Sequence, residues 1–318
     1  MLFVKLSDLR KLVENRPLSL DLNDNGQREE YLRSMGMEPG RIYQELEMDS
    51  PLVDTHRDYS FHDVRVDLHS HSFYEILYCR SNCGAEYLVG TTRYRLQKGD
   101  VIFVAPGVSH RPLLPENMTE PYSRDVLWIS EEFMQALRST FPDLLTCSCG
   151  DRALLRTAGT CWESLGGLFL RGVEEAHDLS GEGAVALLGN TITLLSQLHR
   201  AFADRTAHPT RAEKPELLDR VMEYVEDHLA DKITIADVAR SFYVSESTII
   251  QTFRKKMGVS FYRCVTQRRL IAAKSLIARG YAMETVAEQV GFSDYSTFYR
   301  AFRQEFGISP RQYRKMQE

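Results

Sequence analysis

The chain has 318 residues, 43% hydrophobic and 26% charged, with a formal net charge of −5. That length suits about two domains, and the balance is that of a globular chain, not a disordered one. No apolar run approaches the roughly 18–20 residues that span a bilayer. The opening MLFVKLSDLRKLVENR is charged too often for a secretory leader. The expectation is a cytoplasmic protein with no membrane partner.

Six cysteines, Cys79, Cys83, Cys147, Cys149, Cys161 and Cys264, form no CxxC pair and no zinc spacing, so they read as free thiols. The charge divides unevenly. Residues 214–318 carry 17 Lys+Arg against 13 Asp+Glu, a net of +4, and the rest of the chain carries a net of −9. Two parts with different partners follow.

Residues 1–50 are the least legible. RKLVENRP and QREEYLRSMGM suit short helices around an NDNG turn, and the segment stands as an N-terminal extension without an assigned role. Residues 51–150 hold the runs VRVDL, FYEILYC, AEYLVG, RYRL, VIFVA and RDVLWI, parted by turn-rich SNCG, GTT, QKGD and PGVSH. Short β-prone runs at this spacing predict a small barrel or sandwich.

Residues 151–203 turn helical. Leu187, Leu188, Thr191, Leu194, Leu195, Leu198 and Phe202 line one helical face. Such a stripe either packs on the β-domain or meets its twin in a dimer, and the segment is assigned to dimerisation. The run ADRTAHPTRAEKP, with two prolines and no periodicity, makes residues 204–214 a linker.

The last hundred residues repeat themselves. VARSFYVSESTIIQTFRKKMGVS (238–260) matches VAEQVGFSDYSTFYRAFRQEFGIS (286–309): Ser247 with Ser296, Thr248 with Thr297, Phe253 with Phe302, Arg254 with Arg303, Gly258 with Gly307 and Ser260 with Ser309, all 49 residues apart. Each copy reads as a short helix, a tight turn and a second helix. Ser245 and Asp294 are placed to cap the second helices. Ile249, Phe253 and Met257 form one buried stripe; Phe298, Phe302 and Phe306 form the other. Gly258 and Gly307 stop the helices. Residues 260–280 form a helical spacer. A helix-turn-helix lays its second helix in the major groove, and two linked copies suit successive groove faces about 34 Å apart.

Residues 215–318 resemble the AraC-type DNA-binding domain over their whole length. The resemblance is carried by Ala239, Ser245, Phe253, Gly258, Arg269, Leu270, Ala273, Leu276, Ile277, Ala287, Gly291, Phe292, Phe298, Arg300, Phe302, Gly307, Pro310, Tyr313 and Arg314. It implies base-reading roles for Ser247, Ile250 and Gln251 in the first copy, and for Tyr295, Ser296, Tyr299 and Arg300 in the second. Arginine is suited to guanine, glutamine to adenine and isoleucine to a thymine methyl. Gln251 stands where the family often has arginine, so the first half-site is expected to differ from the usual one. Arg254, Lys255, Lys256 and Arg303 suit phosphate contacts, which position without specifying.

In the N-terminal half, His69, His71 and Glu75 share a strand parity, and His110 lies near the end of a second run. Three imidazoles and a carboxylate suit a divalent transition metal. The pattern is similar to the two-part cupin motif, without its closing Asn. Two readings stand. In one, His69, His71, Glu75 and His110 contact a small polar effector, which the resemblance makes a sugar or sugar derivative. In the other, the same four residues hold a metal ion, as sensor or as metallocupin enzyme.

The fold expected is multidomain α+β: a cupin-like β-barrel (51–150) with appended helices, followed by an all-α domain (215–318) with two helix-turn-helix motifs. The function expected is a DNA-binding transcriptional regulator, not an enzyme, with no required cofactor. It would act as an effector-responsive homodimer on a double-stranded operator and, as an activator, with RNA polymerase.

Overall fold

The computed structural model describes residues 4–5, 46–60, 66, 68–145, 153–177, 181–204 and 216–317. The N-terminal extension, Cys147, Cys149 and the linker lie almost wholly outside them. The chain divides into two compact units, one of Met48–Glu213 and one holding Lys214–Glu318. No described helix is long and apolar enough to cross a membrane.

The strands are β1 (Val4–Lys5), β2 (Leu46–Glu47), β3 (Val53–Ser60), β4 (Tyr74–Cys79), β5 (Glu86–Val89), β6 (Thr92–Arg95), β7 (Asp100–Val104), β8 (His110–Leu113), β9 (Tyr122–Ile129) and β10 (Leu154–Arg156). β1 and β2 make a short parallel pair. The others form a five-stranded sheet in the order β10-β7-β4-β9-β3 and a three-stranded sheet in the order β6-β5-β8, antiparallel throughout. A closed barrel was the expectation. Among the described residues the two sheets are separate ladders, and His69, outside both, makes an isolated bridge to His110 of β8. The buried strands β4 and β7 are near-continuous apolar runs, as a sheet covered on both faces requires.

Three strands went unread. β3 is interrupted by charged Asp54, Arg57 and Asp58 and is a sheet edge; β8 carries Pro112; and β10 lies at the head of a stretch that looked helical. The helix α1 (Glu131–Thr140) was also missed, although Ser130 caps it by accepting from Phe133 N and two glutamates open it.

The helices α2 (Leu165–Glu175) and α3 (Gly181–Ala203) cover the five-stranded sheet. Leu194, Leu195, Leu198 and Phe202 are buried in one core with Ile76, Val101, Phe103, Leu127 and Phe169, and Leu187 and Leu188 pack at its margin. The apolar stripe is therefore packed in the core of its own unit.

The second unit is helical: α4 (Leu217–Asp227), α5 (Ile235–Ser241), α6 (Glu246–Thr252), α7 (Phe261–Ala278), α8 (Met283–Gln289), α9 (Tyr295–Phe306) and α10 (Pro310–Gln317). A π-helical turn, Phe253–Met257, continues α6 and ends at left-handed Gly258. The long helix α7, about 27 Å at 1.5 Å per residue, serves both copies of the repeat. Near its start, Phe261 meets Phe253 edge to face at 5.2 Å. Further on, Leu270, Ala273 and Ile277 share a core with Phe298 and Phe302. Gln267 donates to Glu305 of α9, Arg263 pairs with the same carboxylate, and Arg268 pairs with Glu226 of α4. The two copies are thus built onto one rigid rod.

Candidate functional site

Each second helix of the repeat starts on a side-chain cap. Ser245 Oγ accepts from Thr248 N at 3.1 Å. Asp294 Oδ1 accepts from Thr297 N at 2.7 Å, and that bond, with those from Ser293 and Thr297 hydroxyls, holds the Asp294 carboxyl below its ordinary range. Ile249, Phe253 and Met257 are buried, as are Phe298 and Phe302, with Phe306 half-buried. One face of α6 and of α9 is thereby committed to the core, and the opposite face is left to solvent.

That outer face carries most of the expected reading residues. Ser247, Ile250, Gln251, Ser296 and Arg300 are exposed, and Tyr299 is half-buried. Ile250 leaves 48% of its surface in water, which an isoleucine does at a cost unless something covers it. Tyr295 is drawn inward instead, packed against the second core beside Phe298. Among the expected phosphate contacts, Arg254, Lys255 and Arg303 are exposed, whereas Lys256 is ion-paired with Glu216 at the head of α4. The π turn points Phe253 and Met257 inward and sets three consecutive basic residues along its rim.

One residue on this surface was missed. Tyr243 is 96% exposed and holds a left-handed φ of 56° in the turn before α6. The second copy has Gly291 there, with φ 82°, and glycine takes this conformation without the cost of order 1 kcal/mol or more that a side chain incurs. The mismatch between the two turns was visible in the alignment of the repeats. It adds Tyr243 to the candidate contact surface.

The second constellation lies in the N-terminal unit, between its two sheets. Glu75 of β4 is buried and accepts from Trp128 Nε1 of β9 at 2.8 Å and from Tyr87 Oη of β5 at 3.4 Å. His110 Nε2 lies 3.1 Å and His71 Nε2 3.7 Å from Glu75 Oε2. Burial pushes the Glu75 carboxyl up, but His110 and then His71 outweigh it and hold it well below the usual carboxylate range. Burial, more than any partner, lowers the His71 imidazole. Tyr87 is pushed well above its ordinary value by burial and then by the Glu75 charge. Nearby, buried Arg124 bonds Ser60 Oγ at 2.9 Å, pairs with Asp58 and lies over the Tyr122 ring.

The structure gathers His71, Glu75 and His110 into one group with donor atoms within 4.8 Å of each other. His69 is outside it. Its ring sits 4.3 Å from that of His110 and 6.2 Å from that of His71. The parity argument required an unbroken strand, but β4 begins only at Tyr74, and His69 makes a lone bridge.

Comparison with known proteins adds the following. A family model described as "Helix-turn-helix domain" matches residues 238–316. The probable transcriptional regulator LumQ of Photobacterium leiognathi is 36% identical over 104 residues, 32% of this chain and 42% of that protein. The HTH-type transcriptional activator RhaS of Salmonella arizonae is 27% identical over 252 residues, 78% of this chain and 87% of that one. A solved Chromobacterium violaceum transcriptional regulator of the AraC-type DNA-binding group aligns with a TM-score of 0.31 and 22% identity, over 32% of this chain and 91% of the other. The chain spans about two fifths of the length of LumQ and of the regulatory protein PocR of Salmonella typhimurium. Residues 238–316, the duplicated region, are a helix-turn-helix domain of the AraC type.

Proposed function

We propose that this protein is a transcriptional regulator that reads double-stranded DNA with two helix-turn-helix units and answers to a small polar effector held by its N-terminal unit. The observation that carries the reading is the pair of capped helices, α6 and α9, each with one face in the core and one face of hydrogen-bonding and basic side chains in water. Their attachment to a single rod, α7, supports joint reading of successive major-groove faces. Ser247, Ile250, Gln251, Ser296, Tyr299 and Arg300 reach base edges; Arg254, Lys255 and Arg303 meet phosphates. Tyr295 and Lys256 contribute less, because their side chains are engaged inside the unit.

The effector reading rests on the polar band between the sheets, where His71, Glu75, His110, Tyr87 and Arg124 are all buried. A sugar-like molecule suits such donors and acceptors. Activation, with RNA polymerase as partner, accords with the activator name that RhaS carries, and homodimerisation and a cytoplasmic setting belong to the same reading. Regulation requires the effector to favour one arrangement of the chain over another.

The test is a pair of substitutions. Arg300→Ala is expected to cost about 1–3 kcal/mol of binding and to relax preference at one base pair. Lys255→Ala should weaken all sequences alike and lower the salt slope by about 0.9. Binding measured over a panel of operators and salt concentrations separates them. Equal weakening on every sequence by Arg300→Ala would make it a phosphate contact and defeat the base-reading assignment.

A further inference from the structure

We propose that a basic cleft between the head of α8 and the face of α10 seats a phosphodiester of the DNA backbone beside the second reading helix. The inference rests on the DNA-reading function proposed above. It adds a contact from α10, which lies outside both helix-turn-helix copies.

Ala282, Met283, Glu284, Arg311, Arg314 and Lys315 line an open cleft of about 370 Å³. Three cations stand there against one carboxylate, a net of +2. Arg311 and Lys315 are one helical turn apart on α10, and both are exposed. Among the described residues neither makes an ion pair, whereas Lys256, Arg263 and Arg268 of the same unit do. Arg314 donates to the Tyr281 carbonyl just ahead of α8, and its Nε is buried without a partner among the described residues. Like charges gathered in a concave wall raise the local potential and draw an anion to it. The side chains supply that charge, since α8 has only seven residues.

The cleft borders the reading face. In a helix-turn-helix the first helix crosses the DNA backbone while the second enters the groove, and α8 is the first helix of the second copy. α10 is fixed against it. Tyr313 is buried in the core that holds Met283, Val286, Phe298 and Phe302, with its ring 5.9 Å from that of Phe302. Burial pushes the Tyr295 hydroxyl at the head of α9 up, and the Arg311 charge opposes that push. The guanidinium therefore lies near the start of the reading helix.

The repeat supplies its own comparison. Counting back 49 residues, Arg311, Arg314 and Lys315 fall on Tyr262, Val265 and Thr266, none of them charged. The Tyr262 hydroxyl accepts from Ile235 N at 3.3 Å, and Val265 is buried. The first copy closes with its own groups what the second leaves open to an anion. The backbone of the DNA that α9 reads is the polyanion which passes this position, and phosphate contacts of this kind fix register without reading sequence.

The experiment measures binding of the full chain to a selected operator in which single phosphates are replaced by neutral methylphosphonates. The parent should lose affinity at a phosphate bordering the half-site read through Arg300. Arg311→Gln/Lys315→Gln should be indifferent to that replacement and keep the parent's response at every other position. On unmodified DNA it should weaken all sequences alike and make the salt slope shallower by about 0.9 for one lost phosphate. Arg311→Lys/Lys315→Arg, which keeps both charges, should keep the slope. Both side chains are exposed, so circular dichroism should show the parent's fold in each variant. A glutamine variant with the parent's slope and methylphosphonate pattern would overturn the inference; if it then bound operator normally but failed to activate transcription, an acidic protein segment would be the occupant. A lost contact mapping beside the half-site of α6 would overturn it too. A parent that binds no duplex at all would defeat the DNA reading itself, and that failure is distinct from a parent that binds without using this cleft.

Discussion

Gly291→Ala is expected to destabilise the helical unit by about 2–5 kcal/mol. Gly291 has a φ of 82°, and a Cβ placed there would lie 2.2 Å from the Leu229 carbonyl oxygen and 2.9 Å from the Arg269 guanidinium. The left-handed backbone alone costs an alanine roughly 1–2 kcal/mol. The clash adds roughly 1–3 kcal/mol of overpacking, because the atom to be displaced is backbone just beyond the end of α4. Arg269 cannot simply swing away, since it donates to the Asp231 carbonyl at 2.6 Å. Gly280→Ala is the control. Its φ is 84°, but nothing lies within 4 Å of its Cβ, so only the backbone cost of about 1–2 kcal/mol remains. Urea denaturation followed by helical circular dichroism measures both. Equal losses would show that the close approach to Leu229 carries no weight.

Phe302→Ala is expected to cost about 3–5 kcal/mol. The side chain is fully buried, with the rings of Phe306, Phe298 and Tyr313 centred 4.6, 5.6 and 5.9 Å away. Against a whole-domain stability of about 5–15 kcal/mol, that loss leaves the α9 face without support. Phe302→Leu, which keeps most of the volume, should lose much less. Phe253→Ala is the matched change in the first copy, 49 residues earlier and equally buried, and should cost a similar amount. Trp128 and Trp162, the two tryptophans of the chain, both lie in the other unit. Their fluorescence should therefore stay at the parent's transition while the helical signal melts earlier. A loss under about 1 kcal/mol, or a shared shift of both signals, would contradict a separately folded helical unit.

The helical unit was legible because its sequence states it twice. A cap, an apolar stripe at helical spacing and a stopping glycine recur 49 residues apart, and each feature is local. The β-unit was legible only in its buried strands. β3 hides because the charged residues Asp54, Arg57 and Asp58 interrupt it, β8 because Pro112 masks it, and β10 because three residues next to a helical stretch give no period. Barrel closure depends on hydrogen bonds between strand edges, which no side-chain pattern records. His71, Glu75 and His110 could be grouped from residue type and spacing. The exclusion of His69 could not, because it turns on where β4 begins. The capture of Tyr295 by the second core and of Lys256 by Glu216 are tertiary facts of the same kind.

The central claim is that two helix-turn-helix units on one rod read one DNA site. Hydroxyl-radical footprinting of the full chain on an operator obtained by binding selection tests it most directly. The account predicts, for each bound subunit, two protected segments about 10–10.5 base pairs apart. Gln251→Ala should alter one segment and Arg300→Ala the other. A single protected segment per subunit, or protection that does not depend on sequence, would contradict it.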